Sequence, residues 1–187
     1  MGTDKALLDF RGRPLVDYAI ETATSIEPRV TVVVHPDQLP IPGYQRMARR
    51  PEVTVIPDQF DHSGPIGGLV TALRFHRDHR GVVLLPCDMP FLTPELIASL
   101  TASHLDSVND ATVVEDENGQ AQPLVGVYSG SVLRVAAEMI GSGRLRFGSL
   151  LERLRLGRIP AGGERSTLLN INHPVDLDTA DLGYRRS

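Results

Sequence analysis

Short apolar runs rich in β-branched residues recur along this chain, and each is followed by a stretch whose apolar residues fall at helical spacing. That alternation leaves few folds open, because it is the pattern of strands joined by crossover helices. Residues 30–34, 53–56 and 82–85 are the clearest runs, too short for helices and bounded by Gly or Pro. Unbroken runs of this kind read as strands covered on both faces, and residues 82–85 read as a central parallel strand. Between them, Leu15, Val16, Ala19, Ile20 and Ala23 recur at helical spacing, as do Ile66, Leu69, Val70 and Leu73. Leu96, Ile97 and Leu100 follow a Thr93 cap, and Val132, Val135, Ala136 and Met139 precede a Gly-Ser-Gly stop. Residues 111–114 and 124–128 flank the Glu117-Asn118-Gly119 turn and read as a hairpin. A short helix at 44–50, a basic helix carrying Arg144, Arg146, Arg153, Arg155 and Arg158, a last strand at 167–171 and a closing helix from Pro174 complete the reading. The expected fold class is α/β: a three-layer α/β/α, Rossmann-like domain on a doubly wound, mainly parallel sheet with one antiparallel intrusion.

A chain of 187 residues suits one full core, so residues 1–187 are read as a single domain. The formal net charge of −4 excludes bulk attraction to nucleic acid or an anionic membrane, so any phosphate site must be built locally. No apolar run approaches the ~20 residues that span a bilayer. Cys87 has no second cysteine to pair with, and the first residues, Met-Gly-Thr-Asp-Lys, are neither basic nor apolar enough for a signal peptide. Both features lead to the expectation of a cytoplasmic protein.

Pro86 ends the run at 82–85, since proline offers no N–H to a neighbouring strand. Asp88 therefore stands just beyond the carboxyl end of a strand, where open α/β sheets bind ligands. His35 and Asp58 end the two preceding strands, which places three strand ends along one edge of the sheet. Gly64-Pro65-Ile66-Gly67-Gly68 opens a helix almost without side chains, and such a start leaves N–H groups available to an anion. Lys5, in the company of Gly2, can supply a point charge to phosphate oxygens. Together these groups suit a nucleoside triphosphate with Mg2+, which prefers hard oxygen ligands and usually takes only one or two carboxylates. Asp88 is the better metal candidate. Each signal also has a plainer meaning: Lys5 as a solvated lysine, Gly67 and Gly68 as room for close helix packing, Asp88 as a turn residue. His76 and His79 lack metal-ligand spacing, and Cys87 reads as a small buried hydrophobe. Among the arginines, Arg144 directly after Gly-Ser-Gly is the candidate for a substrate phosphate.

Taken together, Met-Gly-Thr-Asp-Lys-Ala-Leu-Leu at 1–8, Pro-Asp before Gly-Pro-Ile-Gly-Gly-Leu at 57–69, Pro-Cys-Asp-Met-Pro-Phe-Leu at 86–92 and Asn-Ile-Asn-His-Pro at 170–174 resemble the molybdenum cofactor guanylyltransferase family, MobA-like nucleotidyltransferases. The motifs span nearly the whole chain in order. The resemblance implies a nucleotidyltransferase fold and an enzyme that joins GMP from GTP to the terminal phosphate of molybdopterin, releasing pyrophosphate with Mg2+. It implies that Lys5 holds phosphates, that Gly2, His35, Asp58, Gly64, Pro65, Gly67 and Gly68 lie at the nucleotide, that Asp88 binds the metal, and that Asn170 and Asn172 face the pterin. Partners would be GTP and molybdopterin, with a molybdoenzyme or another cofactor-assembly protein downstream.

The sequence departs from the family at its start, where a strand and a Leu-x-Gly-Gly-x-Ser-x-Arg segment normally precede the Met-Gly. The expectation is an N-terminally shortened chain in which neighbouring strands lack a partner and nucleotide binding suffers. Rival readings are a molybdopterin cytidylyltransferase or sugar-phosphate enzyme of similar fold, and a non-catalytic relative that binds molybdopterin or a partner. Gly-Pro-Ile-Gly-Gly and Asp88-Met89-Pro90 favour guanine over cytosine, and retained Lys5, Asp58 and Asp88 argue for an enzyme. A haloacid-type phosphatase is disfavoured, because no second aspartate follows Asp88 two residues on.

Overall fold

The computed structural model describes residues 4–60, 62–162 and 165–171. A 3-10 turn at Lys5–Leu7 leads into a small hairpin, β1 (Asp9–Phe10) and β2 (Arg13–Pro14). Arg11 and Gly12 both take positive φ, 55° and 84°, which is the twist a two-residue hairpin turn requires. α1 (Leu15–Thr24), β3 (Val30–Val34), α2 (Pro42–Met47) and β4 (Val53–Pro57) follow. β3 and β4 pair in parallel, so Val34 lies beside Pro57 and both strands end at the same level. Their core is Val34, Val53, Val16 and Ile20 with Tyr44 and Met47.

The second half of the chain builds a four-stranded sheet. α3 (Gly64–Phe75) precedes β5 (Gly81–Leu84), and α4 (Pro94–Leu105) precedes β6 (Ala111–Glu115). β7 (Ala121–Ser129), α5 (Val132–Gly141), α6 (Phe147–Leu151) and β8 (Leu156–Pro160) complete it, in the spatial order β5-β7-β6-β8. β7 runs antiparallel to both β5 and β6, while β6 and β8 are parallel. β5, β6 and β8 therefore point the same way, and β7 is the antiparallel intrusion the sequence announced.

Helices cover both faces. Ile66, Leu69 and Val70 of α3 pack with Val132, Ala136 and Met139 of α5 and Leu150 of α6 against Val113 and Tyr128. On the other face Leu96, Ile97 and Leu100 of α4 pack on Val114, Val125 and Val127, joined by Met89 and Leu92. Each such side chain contributes about 1.5–3 kcal/mol by leaving water. No helix among the described residues is long and apolar enough to cross a membrane.

Three expectations need correction. β5 is not a central strand among parallel neighbours: it stands at one end of its sheet beside antiparallel β7, and Val83 is 41% exposed. Side chains alternate along a strand, so Val82 and Leu84 reach the α3–α5 layer while Val83 faces the other side, where α4 packs on β6, β7 and β8. The expected basic helix does not form: α6 is only Phe147–Leu151 and carries none of the five arginines, Arg144 and Arg146 preceding it, Arg153 following it, Arg155 leading into strand β8 and Arg158 lying within it. Gly157 and Pro160 disfavour helix there, and the ladder with β6 takes their backbone instead. Residues 167–171 form no strand. A 3-10 turn at Arg165–Leu168 leads directly into Asn170 and Ile171. The expected helix from Pro174 lies outside the described residues.

Candidate active site

Beyond β5 the chain turns through Pro86 and Cys87 to Asp88, whose carboxylate meets groups from two distant segments. Lys5 Nζ forms an ion pair with Asp88 Oδ2. The Asn170 carboxamide faces both carboxylate oxygens at 2.9 and 2.6 Å, and since these oxygens only accept, the NH2 end of Asn170 is the one that donates. The Ile171 backbone N–H donates to the Asp88 carbonyl oxygen at 2.8 Å. The Asp88 side chain remains 17% exposed and that of Lys5 33%, so the pair can reach a ligand.

Lys5 is held in place by its neighbour. Asp4 caps the Lys5–Leu7 turn by accepting the Ala6 N–H at 3.1 Å through Oδ1. Its Oδ2 accepts Gln38 Nε2 at 2.6 Å and the Tyr44 hydroxyl at 2.9 Å, which ties the turn to the β3–β4 unit. Burial, and then the hydrogen bond to Asp4, push the Tyr44 phenol up, so it stays a neutral donor. Asp4, Lys5, Gln38, Tyr44 and Cys87 line a recess of about 230 Å³ floored by Val32, Val33 and Val34. The Cys87 thiol is pushed up to about 11, first by burial and then by the charge of Asp88. It is a protonated thiol at neutral pH and no nucleophile, in keeping with its reading as a small hydrophobe.

Asp58 anchors a second cluster. Its N–H donates to the Val34 carbonyl at 2.7 Å, and its Oδ1 accepts the Phe60 N–H at 3.0 Å and the buried Thr71 hydroxyl at 2.7 Å. Asp58 Oδ2 lies against the first turn of α3. A Cβ placed on Gly67 would come 2.9 Å from it and 3.1 Å from the Phe60 carbonyl, so the absence of a side chain at Gly67 is a packing requirement. Gly68 has open space around it, Gly64 takes φ 55°, Pro65 is exposed, and the Ser63 side chain makes no capping hydrogen bond to the helix. Gly64 and Gly68 leave open space on the outer side of this helix start, as an anion site requires.

The remaining candidates stand apart. His35 caps its own turn, accepting the Asp37 N–H at 3.2 Å through Nδ1 while its backbone N–H donates to Gln38 Oε1 at 2.7 Å. Its ring is exposed, and its backbone N–H links it to the Asp88 cluster through Gln38 and Asp4. Arg144 closes α5, its N–H donating to the Met139 carbonyl at 2.9 Å, and no hydrogen bond or ion pair joins its side chain to Asp88 among the described residues. Gly2 and Asn172 lie outside the described residues. Sequence reasoning passed over Asp4, Gln38 and Tyr44. Asp4 alone carried a signal, standing beside Lys5 at the head of a turn where aspartate is a favoured cap.

The fold is that of a nucleotidyl-transferring enzyme, and the cluster of lysine, carboxylate and carboxamide lies beyond one of its strand ends. The chain belongs to the MobA-like NTP transferase family, whose domain description matches residues 1–157. Among its relatives, a probable molybdenum cofactor guanylyltransferase of Methanothermobacter thermautotrophicus is 31% identical over 183 residues, covering 95% of this chain and 90% of the relative. A probable molybdenum cofactor guanylyltransferase of Flavobacterium johnsoniae is 26% identical over 184 residues, covering 97% and 90%. The solved structure of molybdopterin-guanine dinucleotide biosynthesis protein A from Archaeoglobus fulgidus superposes with a TM-score of 0.81 at 23% identity, over 100% of this chain and 93% of that one. A cytidylyltransferase-type fold, 4-diphosphocytidyl-2C-methyl-D-erythritol synthase from Anaerococcus prevotii, gives 0.71 at 12% identity, which speaks to the fold alone.

Proposed function

We propose that this chain transfers GMP from GTP to the terminal phosphate of molybdopterin, forming the guanine dinucleotide cofactor and releasing pyrophosphate. The observation that supports this best is the convergence of Lys5 and Asn170 on the Asp88 carboxylate beyond the end of β5. These residues come from three of the motifs that carry the family resemblance.

The attacking group is a phosphate monoester, already anionic at neutral pH, so positioning and charge neutralisation can provide most of the catalysis. No general base is needed. The chain's own residues divide that work. Lys5, which donates to Asp88, offers its ammonium charge to phosphate oxygens, and Asp4 fixes the turn from which it extends. The start of α3 offers the free N–H groups of its first turn, those of Gly64 and Ile66, toward the nucleotide, while Pro65 and Gly68 leave room beside them and Asp58 holds the helix there. Asn170 keeps the Asp88 carboxylate oriented, and Asn170 with Asn172 faces the pterin.

The donor set at Asp88 fits Mg2+. It is a single hard carboxylate, partly exposed, and although Oδ2 accepts from both Lys5 and Asn170, Oδ1 accepts from Asn170 alone and keeps lone-pair capacity. Mg2+ characteristically takes one or two carboxylates and completes its shell with phosphate and water. Asp88 would hold it, and the ion would neutralise charge on the phosphates.

Titration of the chain with GTP and with CTP, each with and without Mg2+, tests the reading. A Mg2+-dependent preference for GTP is the expected result, and an equal or greater affinity for CTP would overturn the base assignment. In a GMP-transfer assay Asp88→Asn should lower turnover by ~10²-fold or more, as loss of an electrostatic stabiliser at a reacting phosphorus does. A variant with near-normal turnover would remove Asp88 from the reaction.

A further inference from the structure

Ile171 is fully buried, although it sits between two asparagines on a segment without regular structure. Its side chain enters a small separate core made by Phe10 and Leu15, with Leu8, Tyr18 and Phe91 packed around it. That core is built from the pieces that carry the site. Phe10 belongs to the hairpin directly after the Lys5 turn, and Leu15 begins α1. Phe91 comes from the same loop as Asp88 and meets Phe10 edge-on, ring centroids 5.8 Å apart at 85°. Tyr18 donates its hydroxyl to the Phe10 carbonyl at 2.8 Å and closes the pocket from α1. The Ile171 N–H meanwhile donates to the Asp88 carbonyl at 2.8 Å.

Asn170 has no such anchor of its own. It is exposed, and the hydrogen bonds its carboxamide makes to Asp88 are to the one carboxylate the reaction uses. An exposed asparagine keeps one orientation only where its backbone is fixed, because holding a free side chain in a single rotamer costs entropy. The adjoining residue fixes that backbone twice, through its side chain in the Phe10–Leu15–Phe91 pocket and through its N–H on Asp88.

We propose that Ile171 is a positioning residue: its side chain is a plug that sets the Asn170 carboxamide against the Asp88 carboxylate, and so orients that carboxylate for the nucleotide phosphates. Ile171 touches no substrate and acts through Asn170. The claim about catalysis rests on the reading of Asp88 under Proposed function, whereas the claim about Asn170 stands on the geometry alone.

The test uses the full chain in five forms: the parent, Ile171→Ala, Ile171→Val, Asn170→Ala and the double variant with Ile171→Ala and Asn170→Ala. Side-chain 15N–1H2 spectra identify the Asn170 carboxamide by its loss in Asn170→Ala. In Ile171→Ala its two signals should move to the position of a free asparagine while the backbone amides of β6 and β7 keep theirs, which separates release of Asn170 from unfolding. Ile171→Val, which still fills most of the pocket, should restore the parent position. In the GMP-transfer assay Ile171→Ala should lower kcat by ~10-fold or more with the KM for GTP within ~3-fold, as displacement of a reacting constellation does. Ile171→Val should recover most of that loss, and adding Asn170→Ala to Ile171→Ala should cost little more. Unmoved Asn170 signals in Ile171→Ala, or losses from the two substitutions that multiply, would overturn the proposal. If the signals move as described but no form transfers GMP, the plug stands and the functional reading fails.

Discussion

Asp4 holds three donors from three parts of the chain, the Ala6 N–H, the Gln38 amide and the Tyr44 hydroxyl, and by doing so decides where Lys5 begins. Lysine has an evident use at a phosphate, whereas the sequence shows Asp4 only as a turn cap, and its tie to the β3–β4 unit depends on partners 34 and 40 residues away. Gly67 shows the converse. The sequence offered two meanings for it, anion cradle or close packing, and the contacts with Asp58 and Phe60 show the second to be physically required, while Gly68 beside it is open. Gly67→Ala should therefore destabilise the fold by ~1–3 kcal/mol, the usual cost of forcing atoms into a filled space. Gly68→Ala should be neutral or stabilising by up to ~1 kcal/mol, from the better helix propensity of alanine. Thermal unfolding of the two variants side by side decides it, and equal melting points would show that the Asp58 contact yields freely.

At the scale of elements, α4 is joined to the sheet by a buried polar link as well as by its leucines. His104 near its end lies with Nδ1 3.0 Å from Thr112 Oγ1 and Nε2 2.9 Å from Ser129 Oγ, joining β6 and β7 to the helix. Since Ser129 Oγ also donates to the Asn109 carbonyl, it accepts from Nε2–H, and Nδ1 is left to accept from Thr112. Burial holds the His104 pKa below its ordinary 6.5, with Asp110 pulling the other way. The unfolded chain then binds the proton more readily, so the contribution of His104 to stability is complete above about pH 6.5 and declines as the pH falls below it. His76 is shifted in the same direction, so the prediction concerns a difference: denaturation midpoints of the parent should fall more steeply between pH 7 and 5 than those of His104→Gln. Parallel curves would show that His104 does not titrate with unfolding. The hairpin β6–β7 and helices α1, α3, α4 and α5 were legible because local periodicity and turn residues specify them. β8 was not, since its strand character comes from the ladder it makes with β6, about 45 residues upstream in register, Ala111 beside Leu156.

The molecule as a whole divides its sheet. β3 and β4 form a two-stranded parallel unit with its own core, and the four-stranded sheet carries two larger cores, one on each face. Two-stranded units are marginal by themselves and open at lower free energy than the centre of a larger sheet. Native-state hydrogen exchange should accordingly show earlier exchange in β3 and β4, at Val32 and Val55, than in β6 and β7, at Val113 and Val127. Uniform protection across all four would mean that the two units open together. The candidate site draws on both units, since Asp4 and Lys5 bind to β3–β4 through Gln38 and Tyr44 while Asp88 leaves the edge of the larger sheet. Order at the site therefore depends on the two units keeping their relative place.

By itself the sequence determined the α/β class, the crossover helices, the antiparallel intrusion and the position of Asp88 beyond a strand. These follow from local patterns, the period of apolar residues and the places where Pro or Gly interrupts them. Only the tertiary structure decided that β5 ends its sheet, that Asp4 ties the first turn to the β3–β4 unit, that His35 caps its own turn, and that Ile171 ties Asn170 to Asp88. Each of those depends on contact between segments far apart in the chain, which periodicity cannot encode, and on the competition for a limited number of donors and buried volumes once the segments have met.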